Sequence, residues 1–162
     1  MTIPPAPPAP QSNASYKEGP VPLWAPYYNA PLGEAVRRFF KKYATFTGRA
    51  SRAEYWWWAL VAAVIGIVGE ILLVATGAGM VNSDGTVNSI SPGYVIVAIV
   101  FSLYGLATII PTLALIVRRL HDGNYAGWFI FLGLIPFVGG IILLVFVLLP
   151  PKPEGARFDI AA

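Results

Sequence analysis

The residues best able to do chemistry begin with His121 and Asp122, which resemble an acid–base or metal-binding pair. His121 is the only histidine of the chain, and the chain has no cysteine. A bound metal ion usually takes three or four protein ligands, which this composition does not provide. The sequence has neither a phosphate-binding glycine loop nor a dinucleotide fingerprint. We therefore predict no enzymatic activity, cofactor or metal site, and an enzyme using this pair is the least favoured alternative.

The same two residues belong to a larger set of charged side chains that stand at the ends of apolar segments. Their opposite signs allow ion pairs that would join the helix ends. We predict one cytoplasmic polar cluster, formed by Arg49, Arg52, Glu54, Arg118, Arg119, His121 and Asp122.

Glu70 is the only ionisable residue inside an apolar segment. A carboxylate at membrane depth is a candidate functional group by default. Because Glu70 follows Gly66 on a stripe of small residues, we predict that it faces protein and either forms a hydrogen bond with Ser102 or reaches the outer interface of the membrane. The alternative is that Glu70 carries protons or cations in a small oligomeric transporter or channel.

The composition decides which elements hold these residues. Of 162 residues, 56% are hydrophobic and only 12% are charged, too few charges to cover a water-soluble globule. We predict an all-α membrane protein with three transmembrane helices in a compact bundle, plus an N-terminal amphipathic interfacial helix. The membrane domain covers residues 50–150, with spans at about 55–76, 94–117 and 128–149.

Two local signals refine these spans. Ser51 and Glu54 form a capping-box pattern, which predicts that a helix begins near residues 50–51. Pro136, Gly139 and Gly140 predict a kink in the third span, with a re-entrant hairpin as the alternative.

The segments outside the membrane differ in composition. Residues 1–31 hold nine of the fifteen prolines and are predicted to form a disordered tether. Its aromatic residues Trp24, Tyr27 and Tyr28 would rest on lipid headgroups, or else form a docking site. Residues 151–162 form a short polar tail.

Residues 32–48 combine an apolar stripe with basic residues, which is typical of a helix lying on an anionic membrane surface. The alternative is a cytosolic helix bound to a partner protein. The residues assigned to this interfacial helix are Arg37, Arg38, Phe39, Phe40, Lys41 and Lys42.

The basic residues also predict the orientation. They bracket the apolar segments instead of covering a folded face, which argues against nucleic-acid binding. With three spans, nine of the eleven basic residues lie on the side of the amino terminus. The positive-inside rule then places the amino terminus in the cytoplasm and the carboxyl terminus outside, whereas a hairpin in place of the third span would return the carboxyl terminus to the cytoplasm.

Four stretches carry a resemblance to a known family: YATFTGRASRAEYWWW at 43–58, VRRLHDGNYAGW at 117–128, LIPFVGGIILLVF at 134–146 and PEGARF at 153–158. They resemble the YhaH-type small bacterial inner-membrane proteins known as domain of unknown function 805. The resemblance implies a multi-pass protein of the bacterial cytoplasmic membrane, with no established activity.

The functional hypothesis follows from location and composition. We expect an integral membrane protein that acts as a non-catalytic accessory or assembly component, in contact with the anionic inner leaflet. Its partner would be another membrane protein or further copies of itself. The small transporter that uses Glu70 is the alternative.

Overall fold

All regular structure in the described part of the chain is helical. The structure, a computed structural model, describes residues 21–77, 85–86 and 89–159. The α-helices are α1 (Leu32–Lys41), α2 (Arg52–Gly77), α3 (Pro92–Asp122) and α4 (Gly139–Leu148), and 3₁₀ helices cover Gly127–Leu134 and Pro153–Phe158. No strand occurs in these ranges, so the all-helical class is confirmed.

The start of α2 is fixed by the predicted capping box. The backbone N–H of Ser51 donates to Glu54 Oε2 at 2.8 Å, and the N–H of Glu54 donates to Ser51 Oγ at 3.1 Å. These reciprocal bonds satisfy two donors that a helix start would otherwise leave unpaired. The capping-box prediction is confirmed.

Two helices, α2 and α3, are long and apolar enough to cross a membrane. They contain 26 and 31 residues, with mean hydropathies of 2.4 and 2.2 over their most apolar windows. At 1.5 Å per residue each exceeds a hydrocarbon core of about 30 Å. They contain the predicted segments 55–76 and 94–117.

The third apolar segment does not form one helix. The 3₁₀ helix Gly127–Leu134 is followed by a turn and then by α4. A Cβ placed on Gly139 would lie only 2.0 Å from the carbonyl oxygen of Leu132, so the chain folds back on itself here. Residues 128–149, predicted as a kinked third span, are therefore two short helical segments joined by a turn, and the count of three membrane spans stays a prediction.

The turn has a local cause. Pro136 has no N–H to continue a helix, and Phe137 adopts a left-handed conformation with φ of 63°. The side chain of Phe137 is 95% exposed at the tip. The segment is therefore a helical hairpin, as in the alternative prediction.

The described residues fall into two compact units, one of residues 21–58 and 110–159 and one of residues 59–77, 85–86 and 89–109. The first unit contains most of the buried residues, including Phe39, whose ring stacks on Trp58 with centroids 3.4 Å apart. In the second unit, α2 and α3 approach closely where Gly69 meets Phe101, since a Cβ on Gly69 would lie 2.4 Å from that ring. Gly66, from the same predicted stripe of small residues, is exposed.

Residues 21–31 are not a disordered tether. Ala25 and Ala30 are each only 2% exposed, and Ser51 Oγ donates a hydrogen bond to the carbonyl oxygen of Tyr27 at 2.6 Å. The tether prediction is wrong for this part because small and aromatic side chains here are buried in the first unit. Residues 1–20 lie outside the described residues.

Candidate functional site

Glu54 is the centre of one half of the polar cluster. It is 2% exposed. Its Oε2 accepts from the N–H groups of Ser51 and Tyr27, at 2.8 and 3.3 Å, and its Oε1 accepts from Arg38 Nη1 at 3.3 Å. One carboxylate therefore joins α2, α1 and the segment before α1.

Arg38 belongs to this buried centre and not to a lipid-facing basic surface. It is 1% exposed and donates to Glu34 Oε1 and to the carbonyl oxygens of Ala25, Pro22 and Val21. Buried guanidinium groups require such saturation because desolvation of an unpaired charge is strongly unfavourable.

The predicted interfacial helix is therefore corrected in part. Residues 35, 38, 39 and 42 share one helical face, and that face is buried in the protein. Phe39 and Lys42 lie inside with Arg38, whereas Arg37, Phe40 and Lys41 stay outside. The predicted separation of an apolar face from a basic face is wrong because the helix packs on its own chain through both residue types.

Asp122 is the centre of the other half. It is fully buried. Its Oδ2 accepts from Arg119 Nη1 at 2.5 Å, its Oδ1 accepts from the hydroxyl of Tyr28 at 2.8 Å, and Arg49 Nη1 lies 3.9 Å from Oδ1. The carboxylate thus joins the end of α3 to residues that precede α1 and α2.

Contacts with buried carboxylates shift the pKa values of Tyr28 and Arg49, two residues that lie outside the long helices. Burial and the charge of Asp122 raise the pKa of Tyr28 well above its ordinary value. Burial lowers the pKa of Arg49, but its hydrogen bonds to Asp159 and its electrostatic interactions with Tyr28, Asp159 and Asp122 together raise the pKa by more, so the net shift is upward. Tyr28 therefore stays neutral and Arg49 stays charged over the physiological range.

His121 and Asp122 do not form the acid–base pair that their adjacency suggests. The Nδ1–H of His121 donates to the carbonyl oxygen of Gly48 at 3.0 Å, and its ring stacks on Phe158 with centroids 4.0 Å apart. Within the described residues, no hydrogen bond joins His121 to Asp122, and no group of three or more acidic or histidine residues could hold a metal ion.

The carboxyl-terminal tail completes the site. Asp159 accepts from Arg49 Nη2 at 2.6 Å, and the carbonyl oxygen of Phe158 accepts from the N–H of Gly48 at 2.9 Å. The tail therefore lies beside residues 48–49. The prediction that it lies across the membrane from the amino-terminal region is wrong, because direct contact is incompatible with opposite sides.

Arg119 and Arg52 hold the end of the hairpin. Arg119 donates from Nε to the carbonyl oxygen of Val147 at 3.0 Å and from Nη2 to that of Leu149 at 2.5 Å. Arg52 donates to the carbonyl oxygens of Leu148 and Leu149. These bonds satisfy the last carbonyl groups of α4, which have no partner within the helix.

The structure brings together the seven residues of the predicted polar cluster in the first unit, and Arg52 is the exposed member. Four further participants were not predicted from the sequence. The sequence pattern did not indicate them, because Arg38 shares its helical face with Ala35 and Phe39 and the other three lie in the predicted tether or tail. They are Tyr27, Tyr28, Arg38 and Asp159.

Glu70 is placed differently from the prediction. Its side chain is exposed, whereas its neighbour Gly69 is buried against Phe101. In the part of the chain that the structure describes, Glu70 forms no hydrogen bond with Ser102. The predicted inward orientation is wrong because successive helical residues differ by about 100° in direction.

The polar cluster connects separate segments of the chain through hydrogen bonds. The oxygens of Glu54 and Asp122 each accept from donors on separate segments, and the ring of His121 is held by Gly48 and Phe158. These bonds fix the side chains in position.

Comparison with known proteins agrees with this architecture. The family described as "Protein of unknown function (DUF805)" matches residues 43–160. The Escherichia coli K12 protein named "Inner membrane protein YhaI" is 35% identical over 106 residues, covering 65% of this chain and 75% of that protein. "Inner membrane protein YhaH" of the same strain is 32% identical over 121 residues, covering 75% and 89%.

No solved structure matches the chain. The family match covers the polar cluster, both long apolar helices, the hairpin and nearly all of the tail. Both of these relatives are inner-membrane proteins, which agrees with two helices long enough to cross a bilayer. The chain belongs to the DUF805 family of proteins of unknown function.

Proposed function

We propose that the chain is a two-span protein of the bacterial inner membrane with both ends in the cytoplasm. The spans are α2 and α3. All eleven Lys and Arg residues lie outside residues 53–117, and the connection between the two helices contains none of them. Two spans therefore place eleven basic residues on one side and none on the other, which supports a cytoplasmic polar cluster by the positive-inside rule.

The hairpin enters the membrane from its cytoplasmic face and does not cross it. Its α4 contains ten residues, about 15 Å of helix, which is half of the hydrocarbon thickness. Its exposed side chains are apolar, including Trp128, Phe131, Leu134 and Phe137. A re-entrant hairpin places these apolar side chains in the membrane, where its turn is covered by other protein because irregular backbone is not exposed to lipid. Helix α1 lies at the interface.

Within this topology the protein acts as a non-catalytic assembly component of a membrane complex. The observation that carries this proposal is the exposed carboxylate of Glu70 on a span whose apolar surface is almost entirely unburied. A carboxylate facing lipid is unfavourable by about 2–3 kcal/mol at the membrane centre, and less near the surface. Contact with a polar group on another helix would remove this cost.

The partner is a different membrane protein with a cationic or hydrogen-bond-donating side chain at that depth. A second copy of the chain is less suitable because it offers no cation: no Lys or Arg occurs between Arg52 and Arg118, and only hydroxyl donors such as Ser102 are present. Two copies would bring two like carboxylates to the same level of the bilayer.

Site-specific photocrosslinking in cells tests the proposal. Benzophenone side chains at Ile67 and Val74 lie on the helical face of Glu70, and both native residues are exposed. We expect a crosslinked membrane protein that disappears with Glu70→Gln and remains with Ser102→Ala, the matched polar control. Crosslinking only between copies of this chain, or a product unaffected by Glu70→Gln, would contradict the proposal.

A further inference from the structure

A pocket of about 270 Å³ lies in the first unit beside the end of α1. One wall is apolar, and the other carries ammonium and hydroxyl groups. The residues that line it include Leu23, Trp24, Lys41, Lys42, Thr45 and Thr47.

Lys42 is the unusual member of this lining. It is 3% exposed, and its Nζ has no hydrogen-bond partner in the part of the chain that the structure describes. Arg38, one helical turn earlier on the same face, is equally buried but is paired with Glu34 and Glu54. A buried ammonium group without an acceptor is strongly unfavourable unless a further group supplies one.

The charges around Lys42 favour an anionic acceptor. Burial and the positive charge of Arg118 lower the pKa of Lys42 to about 8; Arg38 also lowers it, while Glu54 and Asp159 raise it. Nη2 of Arg118 is a second buried donor without a partner within the described ranges. The oxygens of Glu54 are already bonded to Arg38, Ser51 and Tyr27, so positive charge and free donors are in excess here.

We propose that this pocket binds a phosphate group. Lys42 provides an unpaired buried positive charge at the lining, and the exposed side chains of Lys41, Thr45 and Thr47 donate to the phosphate oxygens. Leu23 and Trp24 contact the carbon part of a phosphate ester. The group is carried either by an anionic phospholipid or by a soluble phosphate ester, and the two sources share this recognition chemistry.

Thermal unfolding of the full chain in lipid-free maltoside detergent tests the site. The soluble probes are inorganic phosphate and glycerol 3-phosphate, with chloride at matched ionic strength as the control. The lipid probe is phosphatidylglycerol in mixed micelles, with phosphatidylcholine as the control. We expect the midpoint temperature to rise with probe concentration, as binding to the folded state requires. Lys42→Met should weaken the apparent affinity by about tenfold or more.

Matched variants separate binding from folding. Arg37→Met changes an exposed cation of the same helix outside the pocket lining and should keep the full response. The double variant Thr45→Val, Thr47→Val should weaken the response while Lys42 stays in place. It tests the site if Lys42→Met does not fold.

The pattern of responses assigns the source. A rise with phosphatidylglycerol alone identifies a lipid site, and a rise with the soluble probes identifies a phosphate-ester site. Equal responses of the wild type and Lys42→Met, or no response of the wild type to any of these probes, would overturn the proposal. This test is independent of the partner of Glu70, because it uses the purified chain alone.

Discussion

At the scale of single residues, two buried carboxylates connect segments that are distant in the sequence. Glu54 bonds to Tyr27 and Arg38, and Asp122 bonds to Tyr28 and Arg119. Removal of one member leaves the others buried without partners, which costs more than the bond itself contributes. The polar cluster should therefore respond sharply to single substitutions.

Asp122→Ala tests this expectation. The substitution removes the acceptor of Arg119 Nη1 and of the Tyr28 hydroxyl, and we expect a loss of about 3–5 kcal/mol in the free energy of unfolding. Arg37→Ala breaks an exposed pair with Glu34 and should cost less than about 1 kcal/mol. Unfolding by SDS in mixed micelles measures both. Similar losses in the two variants would show that Asp122 is not a structural centre.

Lys42 predicts a pH dependence of stability in phosphate-free buffer. Its pKa is lowered from 10.5 to about 8 by burial and by Arg118, so the unfolded state binds more protons than the folded state between these values. Stability should therefore rise with pH in this window and should be lowest below about pH 8.

Lys42→Met removes this titration. The stability of the wild type relative to the variant should increase by about 2 kcal/mol between about pH 7 and pH 9.5. The range stops below the ordinary pKa of tyrosine because the raised pKa of Tyr28 acts in the opposite direction above it. A constant difference between the two proteins across this range would show that Lys42 is not titrating there.

At the scale of elements, the hairpin depends on a close approach of backbone to backbone. A Cβ on Gly139 would meet the carbonyl oxygen of Leu132 at 2.0 Å and the Cα of Gly133 at 3.1 Å, whereas a Cβ on Gly140 would meet nothing within 4 Å. Adjacent glycines thus have different roles.

Gly139→Ala should destabilise the protein by about 1–3 kcal/mol, because backbone atoms have to move apart. Gly140→Ala should change stability by less than about 1 kcal/mol and is the matched control. Unfolding by SDS compares the two variants. Equal effects would mean that the 3₁₀ helix and α4 are not in contact as described.

The sequence predicts the two long helices better than it predicts the hairpin. Composition and periodicity predicted the all-helical class and the positions of α2 and α3, and the pattern of Ser51 and Glu54 predicted the start of α2. The third apolar segment has enough length for a span, so length alone could not separate a span from a hairpin. The difference depends on the tertiary approach of Gly139 to Leu132.

The polar cluster was predictable only where charged residues stand at helix ends. Arg38 lies beside the apolar stripe of α1, so helical periodicity alone predicts that it is on the outer face of the helix. Tyr28 and Asp159 lie in segments of low complexity or at the tail, and their roles depend on contacts with Asp122 and Arg49. Long-range pairs of this kind leave no periodic signal in a single sequence.

At the scale of the whole molecule, two observations support the proposed two-span topology. They are the contact of the tail with residues 48–49 and the fold of the hairpin. Two spans put all eleven basic residues on one side, against nine with three spans. The family relation to inner-membrane proteins agrees with this placement. The central claim is therefore that both ends of the chain occupy the cytoplasm.

Accessibility of single cysteines in intact spheroplasts tests this claim most directly, since the chain has no cysteine of its own. Ser89→Cys lies between the two long helices, and Thr45→Cys and Glu154→Cys lie on exposed positions before and after them. With a membrane-impermeant maleimide, we predict that Ser89→Cys reacts in intact cells, whereas Thr45→Cys and Glu154→Cys react only after permeabilisation. Reaction of Glu154→Cys in intact cells, with Thr45→Cys still protected, would contradict the two-span account.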